Sequence, residues 1–300
     1  MRNHWDANIR LGWLLGLVFV AGLLGATVAA VVLVIIKPVT IWTFVLSVGA
    51  LLALLLALRL IYQLWGLIHA AYEMDRNVMI IHWGAVHCQI PMASVRDVFS
   101  GADVQHLRMH VTLRWPGYYV GLGEDEVIGP ILFYATRPLA EQVIMRTDSL
   151  AYAISPNDLE EFLPAFKERL AMGPTQEVEE FSTHPAFLDW AIWHDRYAMI
   201  TLIGSVLWLI LLTGMLCWRY PYLPAEIALR FAPTGEPLLL AETSRIFYMA
   251  LIGAIIWVLN GALGLLLYRR VKIAAYFLWS GLLAVQSWLW VAVVTVLLRQ

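Results

Sequence analysis

Five stretches of the chain contain no charged side chain, and each is long enough to form a membrane-crossing helix. Each contains 21 to 26 residues, whereas about 20 apolar residues at a rise of about 1.5 Å cross a hydrocarbon core about 30 Å thick. The pattern therefore predicts an α-helical membrane protein with five transmembrane helices. The stretches are residues 11–36, 38–58, 197–218, 246–268 and 273–298.

Most of the polar sequence lies between the second and third stretches, where the pattern changes to short runs rich in β-branched and aromatic residues. Turn residues such as Trp83-Gly84 and Pro116-Gly117 separate these runs. This alternation predicts an antiparallel meander in a mainly-β soluble domain. The predicted strands are residues 78–82, 86–90, 110–114, 131–136, 143–147 and 151–154.

One amphipathic helix is predicted after the last of these strands. Ser155 is a suitable N-cap and Pro156 suits the first helical turn. The apolar residues that follow recur at helical spacing, so one face of the helix is expected to pack against the sheet. That face consists of Leu159, Phe162, Leu163, Phe166 and Leu170.

These patterns divide the chain into four regions. Residues 1–70 form a two-helix transmembrane hairpin, and residues 71–172 form the soluble domain. Residues 173–195 are a linker that ends in an interfacial helix. Residues 196–300 form a three-helix transmembrane region with an external loop at 219–245.

The net charge of the chain, −2, hides an uneven distribution. Residues 71–180 contain 8 basic and 16 acidic side chains, a net of −8, so the rest of the chain carries +6. An acidic domain is repelled by anionic headgroups and cannot neutralise nucleic-acid phosphates. We therefore expect a protein partner or a homo-oligomer, with lipids acting only as solvent and with no nucleic acid bound.

Positive charges near the predicted helices set the expected orientation. With the amino terminus and the soluble domain in the cytoplasm, seven such Arg and Lys residues lie inside and five outside. The sharpest signal is Arg269, Arg270 and Lys272 in the turn between the last two stretches. The sequence thus predicts a multi-pass protein of the inner membrane with a cytoplasmic soluble domain.

Small and polar residues indicate where the helices meet. Gly12 and Gly16 form a GxxxG pair, which lets backbones approach closely, although glycine is also simply common in membrane helices. Asn260 and Gln286 are polar residues within apolar stretches, and we expect them to bridge the fourth and fifth helices.

Sequence patterns that carry known chemistry are not found. The chain has no GxSxG, P-loop, HExxH or CxxC motif, and its two cysteines, Cys88 and Cys217, are not spaced as metal ligands. The sequence predicts no enzyme, no metal site and no cofactor.

Three separated motifs of the soluble domain suggest a known family. They are the run from Trp115 to Gly121, then Phe133-Tyr134-Ala135-Thr136, and then the run from Tyr152 to Asp158. Together they resemble the bacterial PH domains that are attached to membrane helices, over roughly residues 72–170. The resemblance implies a PH-like barrel closed by a carboxyl-terminal helix, a scaffold that hosts many functions.

A docking surface on this domain is expected where aromatic and acidic residues are exposed. The candidate partner-binding residues are Tyr118, Tyr119, Glu124, Asp125 and Glu126, the last three at the predicted tip of a hairpin.

The loop between the third and fourth helices resembles a second family, the LPxxIPxHFxxxGxPD proteins that include Sdp-type immunity proteins. Arg230 replaces the usual histidine, Ala228 the second proline and Leu238 the final aspartate. A loop that merely joins two helices is the alternative. The residues that carry the resemblance are Leu223, Pro224, Arg230, Phe231, Gly235 and Pro237.

Taken together, the sequence predicts a membrane-anchored, non-enzymatic PH-like protein that serves as an interaction module or as a regulatory or structural subunit in the bacterial cell envelope. Immunity to a membrane-active peptide is an alternative, suggested by the loop. A transporter of an uncharged or lipid-like substrate is a further one.

Overall fold

The computed structural model describes residues 3–104, 107–109, 114–148, 150–176, 178, 180–183, 191–232 and 236–299. The chain divides into two compact units. The first comprises residues 1–25 and 53–187, and the second comprises residues 26–52 and 188–300.

Six α-helices are described, and five of them are long and apolar enough to cross a membrane. The prediction of five apolar helices is confirmed, and they are compatible with a multi-pass membrane protein. The helices are α1 (Arg10–Ile36), α2 (Ile41–Ile68), α3 (Leu159–Met172), α4 (Arg196–Arg219), α5 (Phe247–Tyr268) and α6 (Lys272–Leu298), of which α3 is the amphipathic one.

Thirteen strands are described, and eleven of them belong to the first unit. In chain order they are β1 (Asn3–Asp6), β2 (Ala71–Met74), β3 (Val78–Trp83), β4 (Val86–Pro91), β5 (Asp97–Ser100), β6 (Arg108–Met109), β7 (Tyr119–Asp125), β8 (Gly129–Ala135), β9 (Val143–Arg146), β10 (Ala151–Ile154), β11 (Phe181–Thr183), β12 (Glu226–Phe231) and β13 (Pro237–Glu242).

The first sheet of this unit has the strand order β1-β2-β3-β4-β11, with antiparallel pairs throughout. Strand β1 precedes α1 and pairs with β2, which follows α2, so the helical hairpin is inserted between two neighbouring strands. The Trp5 ring of β1 meets the Phe162 ring of α3 edge to face, with centroids 5.2 Å apart. The sequence did not predict β1, and the linker predicted at 173–195 contains strand β11.

The second sheet has the order β5-β9-β10-β8-β7-β6, and it corrects two expectations. Strands β8 and β10 are parallel, so the domain is not a purely antiparallel meander. After β8 the chain passes to β9, and it then returns to form β10 between β8 and β9. Among the described strands none pairs between the two sheets, so the predicted closed barrel is replaced by two sheets that share a core.

Helix α3 begins three residues later than predicted. Its N-cap is Asp158, whose carboxylate accepts a hydrogen bond from the Glu161 amide at 3.1 Å. Ser155 instead joins two strands, because its hydroxyl accepts a hydrogen bond from the Thr136 amide at 2.7 Å. The apolar face of α3 is as predicted, with Phe162 and Phe166 fully buried in the shared core.

The amino-terminal turns of α1 pack directly on the soluble domain. The Trp115 indole nitrogen donates a hydrogen bond to the Gly12 carbonyl oxygen at 2.8 Å. A Cβ at Gly12 would lie 2.1 Å from the Gly117 oxygen, and Gly117 itself has a φ of +87°. Gly12 and Gly16 are therefore closely packed, but the backbone that Gly12 approaches is the turn at residues 115–118 rather than another helix, and Gly16 meets the side chain of Leu64 of α2.

In the second unit, α4, α5 and α6 pack together, and Gln286 joins two of them. Its side-chain amide is fully buried and donates a hydrogen bond to the Gly253 carbonyl oxygen at 3.0 Å. The predicted polar contact between α5 and α6 is thus made by Gln286 with the backbone. Within the described residues the side chain of Asn260 forms no hydrogen bond, so the expected bridge between Asn260 and Gln286 is wrong.

Replacing Gly12 by alanine tests the contact between α1 and the soluble domain. Because the new methyl group would overlap the Gly117 carbonyl, we expect a loss of about 1–3 kcal/mol in the free energy of unfolding. Thermal unfolding of the full chain in mild detergent measures it. Gly22→Ala is the matched control, since a Cβ at Gly22 meets no described atom within 4 Å. Equal midpoints for the two variants would contradict the contact.

Candidate interaction surface

The hairpin between β7 and β8 ends in a tip of fixed shape. The Asp125 carboxylate accepts hydrogen bonds from the Val127 and Ile128 amides at 2.9 and 3.1 Å. Gly129, with a φ of +86°, then returns the chain into β8. The sequence placed Glu124, Asp125 and Glu126 at a hairpin tip, and this position is confirmed.

The three acidic residues of the tip differ in exposure. Asp125 is buried and holds the turn, whereas Glu124 and Glu126 are exposed. Glu126 pairs with Arg108 at 3.2 Å across the surface. Beside them Val127 is 83% exposed, the most exposed large apolar side chain of the tip. The sequence prediction did not include Val127, although a valine directly after three acidic residues at a hairpin tip indicates an exposed apolar side chain.

A cavity of about 530 Å³ opens beside this tip, and we call it the acidic cleft. Its charged lining consists of Asp97, Asp103, Asp125 and Arg146. Its apolar lining includes Phe99, Val104 and Ile128, which pack over a second small core on the outer face of the second sheet. The cleft therefore combines an apolar floor with an acidic wall.

The acidic cleft is built by neighbouring strands rather than by one loop. Asp97 of β5 lies opposite Arg146 of β9 in the strand register. Asp103 follows in a short 3₁₀ turn, where it is exposed. Three carboxylates against one guanidinium leave an acidic excess, so a ligand with both basic and apolar groups matches the cleft in charge and polarity.

Arg96 and Asp148 form an ion pair next to these strands. The Arg96 guanidinium donates two hydrogen bonds to the Asp148 carboxylate, at 2.7 and 2.9 Å. These hydrogen bonds lower the pKa of Asp148, so the carboxylate is ionised at neutral pH. Asp148 thus neutralises the charge of Arg96, so Arg96 does not offset the acidic excess of the cleft.

Tyr118 is not an exposed docking residue, and this expectation is wrong. The residue is only 4% exposed, and its ring stacks on Trp115 with centroids 4.3 Å apart. Burial raises the pKa of Tyr118 to about 12. Tyr118 thus belongs to the contact with α1, while the neighbouring Tyr119 is partly exposed.

Histidines and one glutamate cluster on the outer face of the first sheet. Glu73 Oε1 lies 3.7 Å from His4 Nδ1 and 3.5 Å from His82 Nε2. The Nδ1 atoms of His82 and His87 are 2.9 Å apart, a separation that requires one shared proton. Burial lowers the pKa of His82, and this effect outweighs the negative charge of Glu73, which raises it. Within the described residues no group of three side chains is placed to hold a metal ion.

The loop between α4 and α5 forms a hairpin of β12 and β13. The Thr243 amide donates a hydrogen bond to the Ala225 carbonyl at 3.1 Å, and the Thr243 hydroxyl donates one to the Pro224 carbonyl. The Arg299 guanidinium lies 5.2 Å from the Phe231 ring centre. Leu223 packs on the core of this end of the helices, and Pro237 opens β13. Gly235 and the Arg230 side chain lie outside the described residues.

Comparison with protein families supports one part of the chain. The model of the Bacterial PH domain family matches residues 70–170. The matched range contains β2 to β10 and most of α3, whereas β1 and β11 lie outside it. Comparison with curated proteins and with solved structures gives no match. The similarity to bacterial PH domains that the sequence suggested is confirmed for this range.

The histidine cluster predicts a dependence of stability on pH. Because the pKa of His82 is lowered from 6.5 in the folded protein, protons bind the unfolded chain more readily. The contribution of neutral His82 to the stability of the folded protein is therefore fully present above pH 6.5. It is lost as the pH falls through the lower pKa that His82 has in the folded protein. Thermal unfolding of the full chain between about pH 7.5 and 5 measures this.

The matched variants for that experiment are His82→Gln and His69→Gln. His82→Gln removes the titrating group, so its unfolding midpoint should change less with pH than that of the natural chain. His69 lies outside the cluster and bonds to the Trp65 carbonyl at 2.8 Å, so His69→Gln should keep the natural pH dependence. A natural pH dependence in His82→Gln would contradict this assignment.

Proposed function

We propose that the chain is a multi-pass protein of the bacterial inner membrane whose cytoplasmic PH-like domain binds a protein partner in the acidic cleft. It acts there as a non-enzymatic regulatory or structural subunit of the cell envelope. The observation that carries the proposal is the pairing of exposed Val127 with the carboxylates of the cleft, a mixed surface that fits a basic and apolar segment.

Five long apolar helices support the membrane part of the proposal. Their outward residues are apolar, as at Val18 and Ile35 of α1, which are 63% and 77% exposed. Such surfaces are stable in hydrocarbon and unfavourable in water. The orientation follows from Arg269, Arg270 and Lys272 in the turn between α5 and α6, which favours the cytoplasmic side.

The contact between α1 and the domain supports a regulatory or structural role. A domain on a flexible linker binds its partner independently of its anchor. Here β1 continues into α1, α2 continues into β2, and the turn at 115–118 packs on Gly12. A partner in the cleft would therefore act on a body that includes the start of α1 and the end of α2, which suits a subunit that passes information to the membrane.

The similarity of residues 70–170 to bacterial PH domains supports recognition rather than catalysis. A PH fold is a scaffold, so the role must come from the site itself. The cleft offers carboxylates, one guanidinium and apolar side chains, and these groups are suited to charge-complementary binding.

Affinity purification tests the proposed partner. The full chain, tagged at its carboxyl end, is purified from native membranes in mild detergent, and a stoichiometric companion is expected. The double variant Asp103→Lys, Glu126→Lys should recover about tenfold less of it, because each exposed carboxylate becomes repulsive. Glu168→Lys changes an exposed charge on α3 and should leave recovery unchanged.

Two outcomes would contradict this function. One is recovery of the chain alone at monomer mass, with no companion after cross-linking in native membranes. The other is equal recovery by the double variant and the Glu168→Lys control.

The proposed orientation has a separate test. Five membrane crossings that start in the cytoplasm place Arg299 on the outside. A tag after the last residue should therefore react with a membrane-impermeant reagent in intact cells, and a cysteine placed at exposed Glu168 should not. The reverse labelling pattern would overturn the orientation.

A further inference from the structure

An apolar groove of about 490 Å³ runs along the outer side of α4 and α5. Met199, Ile203 and Leu207 of α4 form one wall, and Val258, Ala262 and Leu265 of α5 belong to the other. The walls cover nine residues of α4 and eight of α5, a length of about 12 Å. This is close to the depth of one leaflet, which is half of a hydrocarbon core about 30 Å thick.

The polar atoms near the groove are turned away from it. Trp257 lines the groove with its ring, while its indole nitrogen donates a hydrogen bond to the Ser205 hydroxyl at 2.9 Å. The floor is open at Gly261, where an added Cβ would meet no described atom within 4 Å. The groove therefore has the apolar lining that an acyl chain requires.

One end of the groove is flanked by arginines that lie in register with its walls. Arg196 precedes Met199 by three residues and Ile203 by seven, so the three share one face of α4. Arg269 follows Leu265 by four residues on α5 in the same way. Both arginines are exposed. They lie at the same end of the groove, because α4 begins there and α5 ends there.

Other charges at this end leave a basic excess. Arg270 and Lys272 lie in the turn between α5 and α6, and the Lys272 ammonium lies 5.4 Å from the centre of the Tyr268 ring. Among the described residues at this end the acidic group is Asp195, the N-cap of α4, whose carboxylate accepts hydrogen bonds from the Tyr268 and Tyr276 hydroxyls. Four cations around one carboxylate attract an anion.

We propose that this groove is a binding site for an anionic phospholipid, which places one acyl chain between α4 and α5 and its phosphate between Arg196 and Arg269. The lipid lies in a single leaflet, and its charge distinguishes it from the zwitterionic lipids that solvate the other helix faces. The inference rests on the proposed membrane insertion and is independent of a partner in the acidic cleft.

Native mass spectrometry of the full chain tests the site. The protein is released from detergent after titration with phosphatidylglycerol or with phosphatidylcholine of identical acyl chains. We expect the first phosphatidylglycerol adduct at a concentration at least about fivefold lower, because its headgroup has a net negative charge whereas choline neutralises the phosphate of phosphatidylcholine, and one arginine facing an anionic lipid contributes about 1 kcal/mol. Equal uptake of the two lipids would overturn the proposal.

Three variants separate headgroup recognition from acyl-chain binding. The double variant Arg196→Gln, Arg269→Gln should lose the preference for phosphatidylglycerol. Gly261→Leu, whose Cβ has open space, adds a side chain to the groove and should lower the first adduct of both lipids. Arg245→Gln changes an exposed cation outside the groove and should keep the natural preference.

Retention of the preference in the double variant would overturn the assignment of the arginines, and unchanged adducts in Gly261→Leu would overturn the groove. Membrane insertion is checked separately by recovery of each variant in alkali-washed membranes. A chain missing from that fraction would defeat the proposed function as well, whereas an inserted chain without lipid preference would defeat the lipid site alone.

Discussion

The close approach of Gly12 and Gly117 is the constraint on which the arrangement of the first unit depends. Two backbones can come this near only where neither residue has a side chain, and here a Cβ on either glycine would overlap the other segment. The Trp115 indole fixes the register of the contact through its hydrogen bond to the Gly12 carbonyl. The PH-like domain and the start of α1 are therefore parts of one packed body.

That body is also continuous through its sheet. Strand β1 enters the first sheet before α1, and β2 enters it directly after α2, so the domain holds both ends of the helical hairpin. Tyr72 of β2 extends the connection across the core, since its hydroxyl donates a hydrogen bond to the Tyr134 carbonyl at 2.7 Å and accepts one from the Ser155 amide. Movement of the domain against the start of α1 or the end of α2 would break contacts at several places.

The sequence predicted the features that depend on local pattern. The five apolar helices follow from stretches without charge, and the buried face of α3 follows from helical spacing at Phe162 and Phe166. The features it missed depend on distant contacts. Four residues, Asn3–Asp6, are too few to show a strand period, and their strand exists because β2 offers an edge. Likewise β8 and β10 are parallel because of the crossover, which no local pattern indicates.

The candidate site shows the same division. Glu124, Asp125 and Glu126 were predicted at a hairpin tip, because acidic and glycine residues signal turns. The sequence predicts an exposed Tyr118, and only its burial and its stacking on Trp115 show that it is a core residue. The acidic cleft could not be predicted, since Asp97, Asp103 and Asp125 meet only after β5, β7 and β9 are assembled in one sheet. The exposed side chain of Val127 becomes part of a candidate binding surface only because it lies beside these carboxylates.

Hydrogen–deuterium exchange of the full chain in lipid nanodiscs tests most directly whether the domain and the start of α1 form one body. The Tyr118 amide donates a hydrogen bond to the Trp115 carbonyl at 2.9 Å beneath the start of α1. If the contact holds, this amide exchanges together with the amides of the buried strands β8 and β10, as members of one cooperative unit do. Exchange of the turn at 115–118 at the rate of an open loop, while the strands stay protected, would contradict the account.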